Sequence, residues 1–407
     1  MSTEGFSIAV ITHDAEEGGS VGSVAWNHIK LLANQYHVYV ISRGIPETEN
    51  PRIHPILICP KTWNGLRRFC HVPNELSFQR SARKALNQLS KEINLKAVWC
   101  HSHGTVTLSA SPTARQKGLA VIMTTHGDIF ERPVGTYDYL MTLFYKFVTK
   151  RAYAVADRVH ALSPYMGDLA VKHGAKKEKI RIIPNGVYPR EIGLEHVLFR
   201  EQSMFTRNEG LKVLFVGNLL PIKGLRHLIR ALKIAQLKGS NDIYLQCVGD
   251  GLERQALQNL TSELGLVKQV TFVGKVVKNK LHRFYASADV FCVPSDSDPL
   301  PTVVLEAFSA GLPVVGTATG GISYMVSDER GFLFEPGNSD ELAEILVRAA
   351  GNKAALFELS RECSAAAKDE FSWDNVGNQL RVMLSECIAE KSGAREKIHT
   401  GRLRGRS

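Results

Sequence analysis

The chain has 407 residues, 44% of them apolar and 22% charged, with a net charge of +10. That length allows two or three domains with cores of their own. It contains no run of 18 apolar residues, so no helix is expected to span a bilayer. The amino terminus, MSTEGFSIAVITHD, reads as a short strand rather than a secretion signal. Seven cysteines occur without a CxxC pair, and the single CxxH, Cys100 to His103, has no second pair to complete a site. This argues for buried thiols in a reducing compartment and against a zinc site. A cytoplasmic location is the expectation.

The positive charge is partly local. Lys61 to Lys96 holds eight Lys or Arg against two acids, and Lys391 to Ser407 holds six against one. A basic surface suits polyanions, but charge alone does not choose among nucleic acid, anionic lipid and phosphorylated metabolites. No helix-turn-helix or RNA platform accompanies it, so no specific nucleic-acid partner is expected.

In chain order, strands are expected at Phe6–Thr12, His37–Arg43, Lys96–His103, Leu119–Gly127, Ala156–Ser163 and Lys179–Gly186, with helical patterns between them, as at Val24–Gln35. Two-sided apolar strands separated by helices indicate an open parallel sheet. Glu191 to Gly210 reads as a linker. The alternation then restarts through LKVLFVGNL, IYLQCVGDG, QVTFVG, DVFCVPS, LPVVGTATGG and RGFLFEPG. The fold class is therefore α/β, with two Rossmann-like doubly wound domains. The expected division is residues 1–200, residues 201–372, a helix at 373–390 that crosses back to the first domain, and a flexible basic tail at 391–407. Leu76 to Leu95 forms a basic helical segment whose apolar side, Leu76, Ala82, Leu86, Leu89 and Ile93, either packs on the sheet or rests on an anionic membrane.

Ligands of such sheets lie beyond the C-terminal strand ends, and several motifs fall there. Gly18 and Gly19, in GGSVGS, lie between the first strand and the first helix. This is neither a dinucleotide fingerprint nor a Walker loop, and it serves equally as a tight turn. GNLLPIKGL holds the same place in the second domain, with Lys223 just before a helix, where it is either a phosphate contact or a solvated lysine. GDG at Gly249 is a further glycine loop, and the crossover at Val276 is placed to border a base. His101 and His103 in CHSHG, with His126 and Asp128 in THGD, end neighbouring strands of the first domain. Each histidine alone is more often structural than catalytic.

The stretch SDSDPLPTVVLEAFSAGLPVV carries the most information. Asp298 and Leu300 precede a helix opened by Pro301, which lacks the N–H that would be orphaned there. The amides of Thr302 and Val303 then face outward toward an anion, and Glu306 follows one turn on. Two carboxylates for hydroxyls and amides for phosphate suit a nucleoside diphosphate sugar. The plainer alternative is a capping aspartate and a solvent-facing acid.

DPLPTVVLEAFSAGLPVVGTATGG, with VGNLLPIKG, GDG, YASADVFCVPS, IIPNGV and GFLFEPGN in order, resembles the retaining glycosyltransferases of family 4, which have the GT-B fold. The resemblance runs from Ile8 to about Cys387. It implies that Glu306 binds the donor ribose, the upstream acid contacts the transferred sugar, and Lys223 stabilises the diphosphate. Gly19 would lie near the donor phosphates, and His126 near the reacting carbon. His126, Lys223 and Asp298 are thus the implied catalytic residues, and Asn218 joins the implied donor contacts. No metal is expected, cationic side chains and amides taking its role, and no cofactor beyond the donor itself.

Two departures stand out. Asp298 replaces the usual Glu and is one methylene shorter. Asn218 replaces the usual Arg and removes a cation, for which Arg226 and Arg254 are the candidate substitutes. The expected partners are a nucleoside diphosphate sugar and a glycan, lipid-linked or small-molecule acceptor, with peripheral contact to the inner face of an anionic membrane. The expected activity is transfer of the sugar to an acceptor hydroxyl in cell-surface glycan synthesis. The alternatives are a non-catalytic nucleotide-sugar sensor and a nucleotide-sugar isomerase.

Overall fold

The computed structural model describes residues 5–15, 21–61, 67–101, 104–126, 136–188 and 210–404, with side chains at 67–72, 136–140 and 394–404 set aside. The chain divides into two compact units. One is Met1–Pro184 with Val376–Ser407, and the other is Asn185–Asn375.

The first unit is a seven-stranded parallel sheet in the order β3-β2-β1-β4-β5-β6-β7. Its strands are β1 (Ser7–Thr12), β2 (His37–Ser42), β3 (Ile53–Leu57), β4 (Leu95–His101), β5 (Ala120–Thr125), β6 (Arg158–Ala161) and β7 (Ile180–Ile182). The helices are α1 (Val21–Leu32), α2 (Arg67–Glu92), α3 (Gly104–Lys117), α4 (Thr136–Val155) and α5 (Pro164–Lys172). Ile8 to Ile11 are all buried, as two-sided apolar runs in a covered sheet must be. β3 has no counterpart in the sequence reading. It is short and carries Pro55, which only a sheet edge tolerates readily, and an edge is where it lies.

The apolar side of α2 belongs to the core. Phe78, Ala82, Leu86 and Leu89 pack with Ile11, Val98 and Cys100, so that stripe is not available to a membrane. The last helix, α13 (Trp373–Arg404), contributes to this unit from Val376 onward, burying Val376, Leu380, Met383, Leu384 and Cys387. Lys391 Nζ grips the Asp157 carboxylate at 2.8 and 2.9 Å, and Arg381 donates to the Leu31 carbonyl at 3.1 Å. The helix runs on to Arg404, where a flexible tail was expected from residue 391. Anchoring of Lys391 on Asp157 carries the helix past the point where the tail was expected to begin.

The second unit is a six-stranded parallel sheet in the order β10-β9-β8-β11-β12-β13. Its strands are β8 (Leu211–Val216), β9 (Ile243–Val248), β10 (Val270–Gly274), β11 (Val290–Val293), β12 (Val314–Thr317) and β13 (Gly331–Phe334). The helices are α6 (Leu225–Leu237), α7 (Arg254–Glu263), α8 (His282–Ser287), α9 (Thr302–Ser309), α10 (Ile322–Met325), α11 (Ser339–Gly351) and α12 (Lys353–Asp369). Leu228, Ile229, Leu232 and Ala235 give α6 an apolar stripe at helical spacing, buried with Leu342 and Leu346 of α11. Val187 donates to the Phe371 carbonyl at 2.8 Å and accepts from the Trp373 amide at 3.1 Å. These bonds tie 185–188 to the second unit, so the division falls at Pro184 rather than near residue 200.

Both sheets reverse their strand order at the same place, between β1 and β4 in the first unit and between β8 and β11 in the second. These are the topological switch points, beyond whose C-terminal ends open α/β sheets bind ligands. Among the described residues no helix is long and apolar enough to cross a membrane.

Candidate active site

In the second unit, the loops after β8 and β11 meet at the switch point. The first runs through a tight turn at Pro221–Lys223 and ends at Gly224 with φ +66°. A Cβ there would lie 1.9 Å from the Pro294 carbonyl oxygen, so only glycine fits. The Asp296 amide donates to the Ile222 carbonyl at 2.9 Å. With the loops locked this way, Lys223 Nζ donates to Asp298 Oδ2 at 2.6 Å. The lysine side chain is 30% exposed and the aspartate 10%, so the pair sits at the boundary of solvent with its carboxylate inward. From the other side, Gly320 (φ +56°) presses on the Asp298 backbone, and the Gly321 amide donates to the Asp298 carbonyl at 2.8 Å. The TATGG turn thereby fixes the loop that carries the acid.

α9 follows. Pro301 caps it with extended backbone (φ −69°, ψ 113°) and no side-chain cap, one residue before the first helical residue. Leu300 and Pro301 are buried, while Thr302, Val303 and Glu306 are half-buried. Glu306 Oε2 accepts from the Tyr285 hydroxyl at 2.9 Å. Tyr285 is buried on α8, so the carboxylate is oriented by a group that is itself fixed. Gly249, with φ +139°, packs on the Gly217 carbonyl. Asn218 is exposed and Val276 half-buried.

The two arginines considered as replacements for the missing cation are already engaged. Arg226 pairs with Glu253 at 2.7 Å and Arg254 with Asp250 at 3.0 Å. His227 stands 3.8 Å from Asp296, and its partial burial lowers its pKa from the ordinary histidine value.

In the first unit, His101 at the end of β4 is fully buried, its Nδ1 3.1 Å from His126 Nε2. It therefore does not itself face a ligand, as its strand-end position suggested, and of the two only the half-buried His126 is exposed to one. Behind His101 lie two histidines that motif reading missed, His28 of α1 and His160 of β6, with ring centroids 5.1 Å (His28–His101) and 5.4 Å (His28–His160) apart. Trp99 Nε1 donates to Thr124 Oγ1 at 2.7 Å, and Thr124 Oγ1 meets His160 Nδ1 at 3.1 Å. Burial, reinforced by neighbouring histidines, holds His28 and His101 well below the ordinary histidine range, and burial brings His160 to about 4. These rings are neutral core residues at neutral pH. A second network, His13–Glu75–Thr105, sits at the β1 end and also escaped motif reading, because its members lie far apart in sequence.

Gly18, Gly19, His103 and Asp128 lie outside the described residues. Among the described residues no group of three His, Cys, Asp or Glu is placed to hold a metal ion. The structure thus brings Lys223 and Asp298 into contact and places Glu306 one helical turn beyond them.

Two family models match this chain. Glycosyltransferase Family 4 covers residues 18–191, and Glycosyl transferases group 1 covers residues 200–370. An uncharacterized glycosyltransferase of Methanocaldococcus jannaschii is 31% identical over 209 residues, which is 50% of this chain and 53% of that protein. The chain spans about half the length of the curated relatives it matches. Sucrose-phosphate synthase from Thermosynechococcus elongatus superposes with a TM-score of 0.77 at 21% identity, covering 95% of this chain and all of the other. Anabaena HepE, solved in complex with UDP, gives 0.72 at 18%, covering 94% of this chain and 100% of its own. The parallel sheets with flanking helices are those of the GT-B fold, and with the two models spanning most of its length, the chain belongs to the glycosyltransferases of family 4.

Proposed function

We propose that this protein is a retaining, metal-independent glycosyltransferase that moves a sugar from a nucleoside diphosphate sugar to an acceptor hydroxyl. The observation that carries the reading is the Lys223–Asp298 pair at the switch point, with Glu306 oriented by Tyr285 one turn beyond. An incoming diphosphate is an anion that competes with Asp298 for the lysine. Lys223 then neutralises the leaving group, and Asp298 is freed to accept from hydroxyls of the transferred sugar. The amides of Thr302 and Val303 add their dipoles to the phosphates. Glu306 takes the ribose hydroxyls.

Attack of the acceptor hydroxyl on the anomeric carbon forms the glycosidic bond as the bond to the diphosphate breaks. The departing diphosphate takes the acceptor proton on the same face, so the configuration is retained. The relative solved with UDP supports the nucleotide half of the donor. Cell-surface glycan synthesis is the role that the family resemblance implies.

The test is a thermal-shift panel of UDP, GDP, ADP and TDP sugars with EDTA present, followed by NMR of the product's anomeric centre. A ligand that binds only the native state stabilises it by mass action. One donor raising Tm, with turnover and a retained anomer, supports the reading. An inverted product or an EDTA-sensitive reaction refutes the corresponding part. Saturable donor binding without turnover on any acceptor favours the sensor alternative, motivated by Asn218 and Asp298, and release of an altered nucleotide sugar favours the isomerase.

For contact with an anionic membrane, α4 replaces α2 as the supporting surface. Leu143, Phe144 and Phe147 are exposed on it beside the exposed Lys146, Lys150 and Arg151. Phe144→Ser with Phe147→Ser is expected to abolish sedimentation with anionic vesicles at low salt, and a wild type that stays in the supernatant ends the idea.

A further inference from the structure

The switch point of the first unit holds a built polar site that the reading above does not use. His13 directly follows β1, and Thr105 lies in the first turn of α3, which follows β4. Glu75 reaches the same spot from α2. Its Oε2 lies 2.7 Å from His13 Nε2, while Oε1 accepts from Thr105 Oγ1 at 2.7 Å and from Gln79 Nε2 at 3.1 Å. The His13 ring is stacked on buried Phe78, centroids 4.2 Å apart. The glutamate side chain is 12% exposed and the histidine 27%.

The donors hold the Glu75 carboxyl ionised, with its pKa lowered to about 2 even though burial opposes this. A carboxylate only accepts, so the hydrogen in the His13 bond belongs to Nε2. In the neutral ring Nδ1 is then a hydrogen-bond acceptor, and among the described residues it makes no hydrogen bond. Two fixed points and a stacked face leave the imidazole little freedom. Among the described residues the nearby Arg43 is paired with Asp14, and the Glu75 carboxylate disfavours an anion beside it. An Nδ1 acceptor suits a hydroxylated ligand.

We propose that His13 binds the sugar acceptor, its Nδ1 accepting a hydrogen bond from an acceptor hydroxyl, and that Glu75 is the positioning residue that fixes the ring. This rests on the transferase reading. In a parallel with the second unit, the same topological position carries a charged pair for an anionic donor there and a histidine–carboxylate pair for a neutral polyol here.

The test uses the full chain, UDP-glucose or the best donor of the panel above, and free sugars, polyols and oligosaccharides as acceptors. His13→Ala is expected to cut transfer about tenfold, chiefly through KM for the acceptor, with the nucleotide-induced thermal shift unchanged. His13→Asn, which keeps an acceptor oxygen near the Nδ1 position, restores most of the rate. Glu75→Gln lowers transfer in the wild-type background and adds nothing in His13→Ala, since a residue acting through another has no effect once that other is gone. Transfer unchanged in His13→Ala overturns the proposal. So does a loss that Asn does not restore and that tracks Tm, which is the signature of a merely structural tie between α2 and β1. A wild type that binds donor but transfers to no acceptor removes the transferase reading and this assignment together, whereas an indifferent His13→Ala in an active enzyme removes only the assignment.

Discussion

The two sheets share a strand order and a switch point, yet their C-terminal ends are chemically opposite. The second unit places the buried Asp298 there with the partly exposed Lys223 and Glu306, held by glycine-locked loops. The first buries three neutral histidines and a tryptophan just behind its strand ends, with the His13–Glu75 pair in front. The same topology thus provides a place for a ligand without deciding which ligand. The decision lies in whether a strand-end side chain reaches solvent, as Lys223 does, or turns into the core, as His101 does.

Acid separates the units most strongly. His28, His101 and His160 have folded pKa values below the ordinary 6.5, His160 near 4. Between those values the unfolded chain binds more protons than the folded one, so stability rises with pH. The contribution is complete above about 6.5 and is lost as pH falls toward 4. At up to about 1.4 kcal/mol per pH unit, His160 contributes a few kcal/mol over that window, and His28 and His101 act in the same direction. The Glu75 contribution is lost in a separate window, from its ordinary 4.5 down to about 2. Hydrogen exchange at pH 7.5 and 5 is expected to show the first unit losing protection while the second keeps most of its own. Equal loss in both units would mean that the histidine cluster does not set the difference.

Lys223→Ala probes the other side of the comparison. If Lys223 neutralises the leaving group as proposed, its removal is expected to lower turnover about 10²-fold, with acceptor KM little changed. The mutation also leaves the mostly buried Asp298 carboxylate without its lysine, so Tm falls. Lys223→Ala with Asp298→Asn should recover stability but not rate. If the double variant recovers both, the pair is a structural tie and the ligand contacts lie elsewhere.

The sequence made the second unit easier to read than the first for a physical reason. The candidate donor residues there sit in contiguous loops of one or two turns, so that Asp298, Pro301 and Glu306 fall in a single run, and the bonds of Lys223 to Asp298 and of Tyr285 to Glu306 required the fold. In the first unit the partner of His13 is 62 positions away in sequence, at Glu75, which in turn accepts from Thr105, 30 positions further on. Nothing local marks Glu75 out from the charges of a basic helix. His101 was legible as a strand-end histidine, but its burial depends on α1 and β6 packing behind it. Tyr285 lay within a quoted motif, yet its role toward Glu306 depends on how α8 packs beside α9.

That contact gives a smaller effect. Tyr285→Phe keeps the ring and removes the hydroxyl that donates to Glu306 and lies 3.5 Å from the Val303 carbonyl oxygen, so it is expected to weaken binding of the nucleotide about five- to tenfold, as the loss of a typical hydrogen bond does. Isothermal titration with UDP measures it. An unchanged Kd would show that the carboxylate is oriented by the helix alone.

The smallest expected effect tests whether the missing cation matters. Asn218 is exposed on the β8 loop, and Arg226 and Arg254, its candidate substitutes, are each held by a carboxylate. Asn218→Arg adds a charge to the exposed part of the loop that carries Lys223 without burying anything, so folding should be unaffected. Coulombic attraction at a solvent boundary is modest and screened by salt. UDP affinity should therefore rise about threefold at low ionic strength and hardly at all at 0.5 M salt. A gain that persists at high salt would mean a specific hydrogen-bonded contact. No gain at low salt would mean that the diphosphate does not pass near Asn218, and that this chain holds its donor differently from what the family pattern implies.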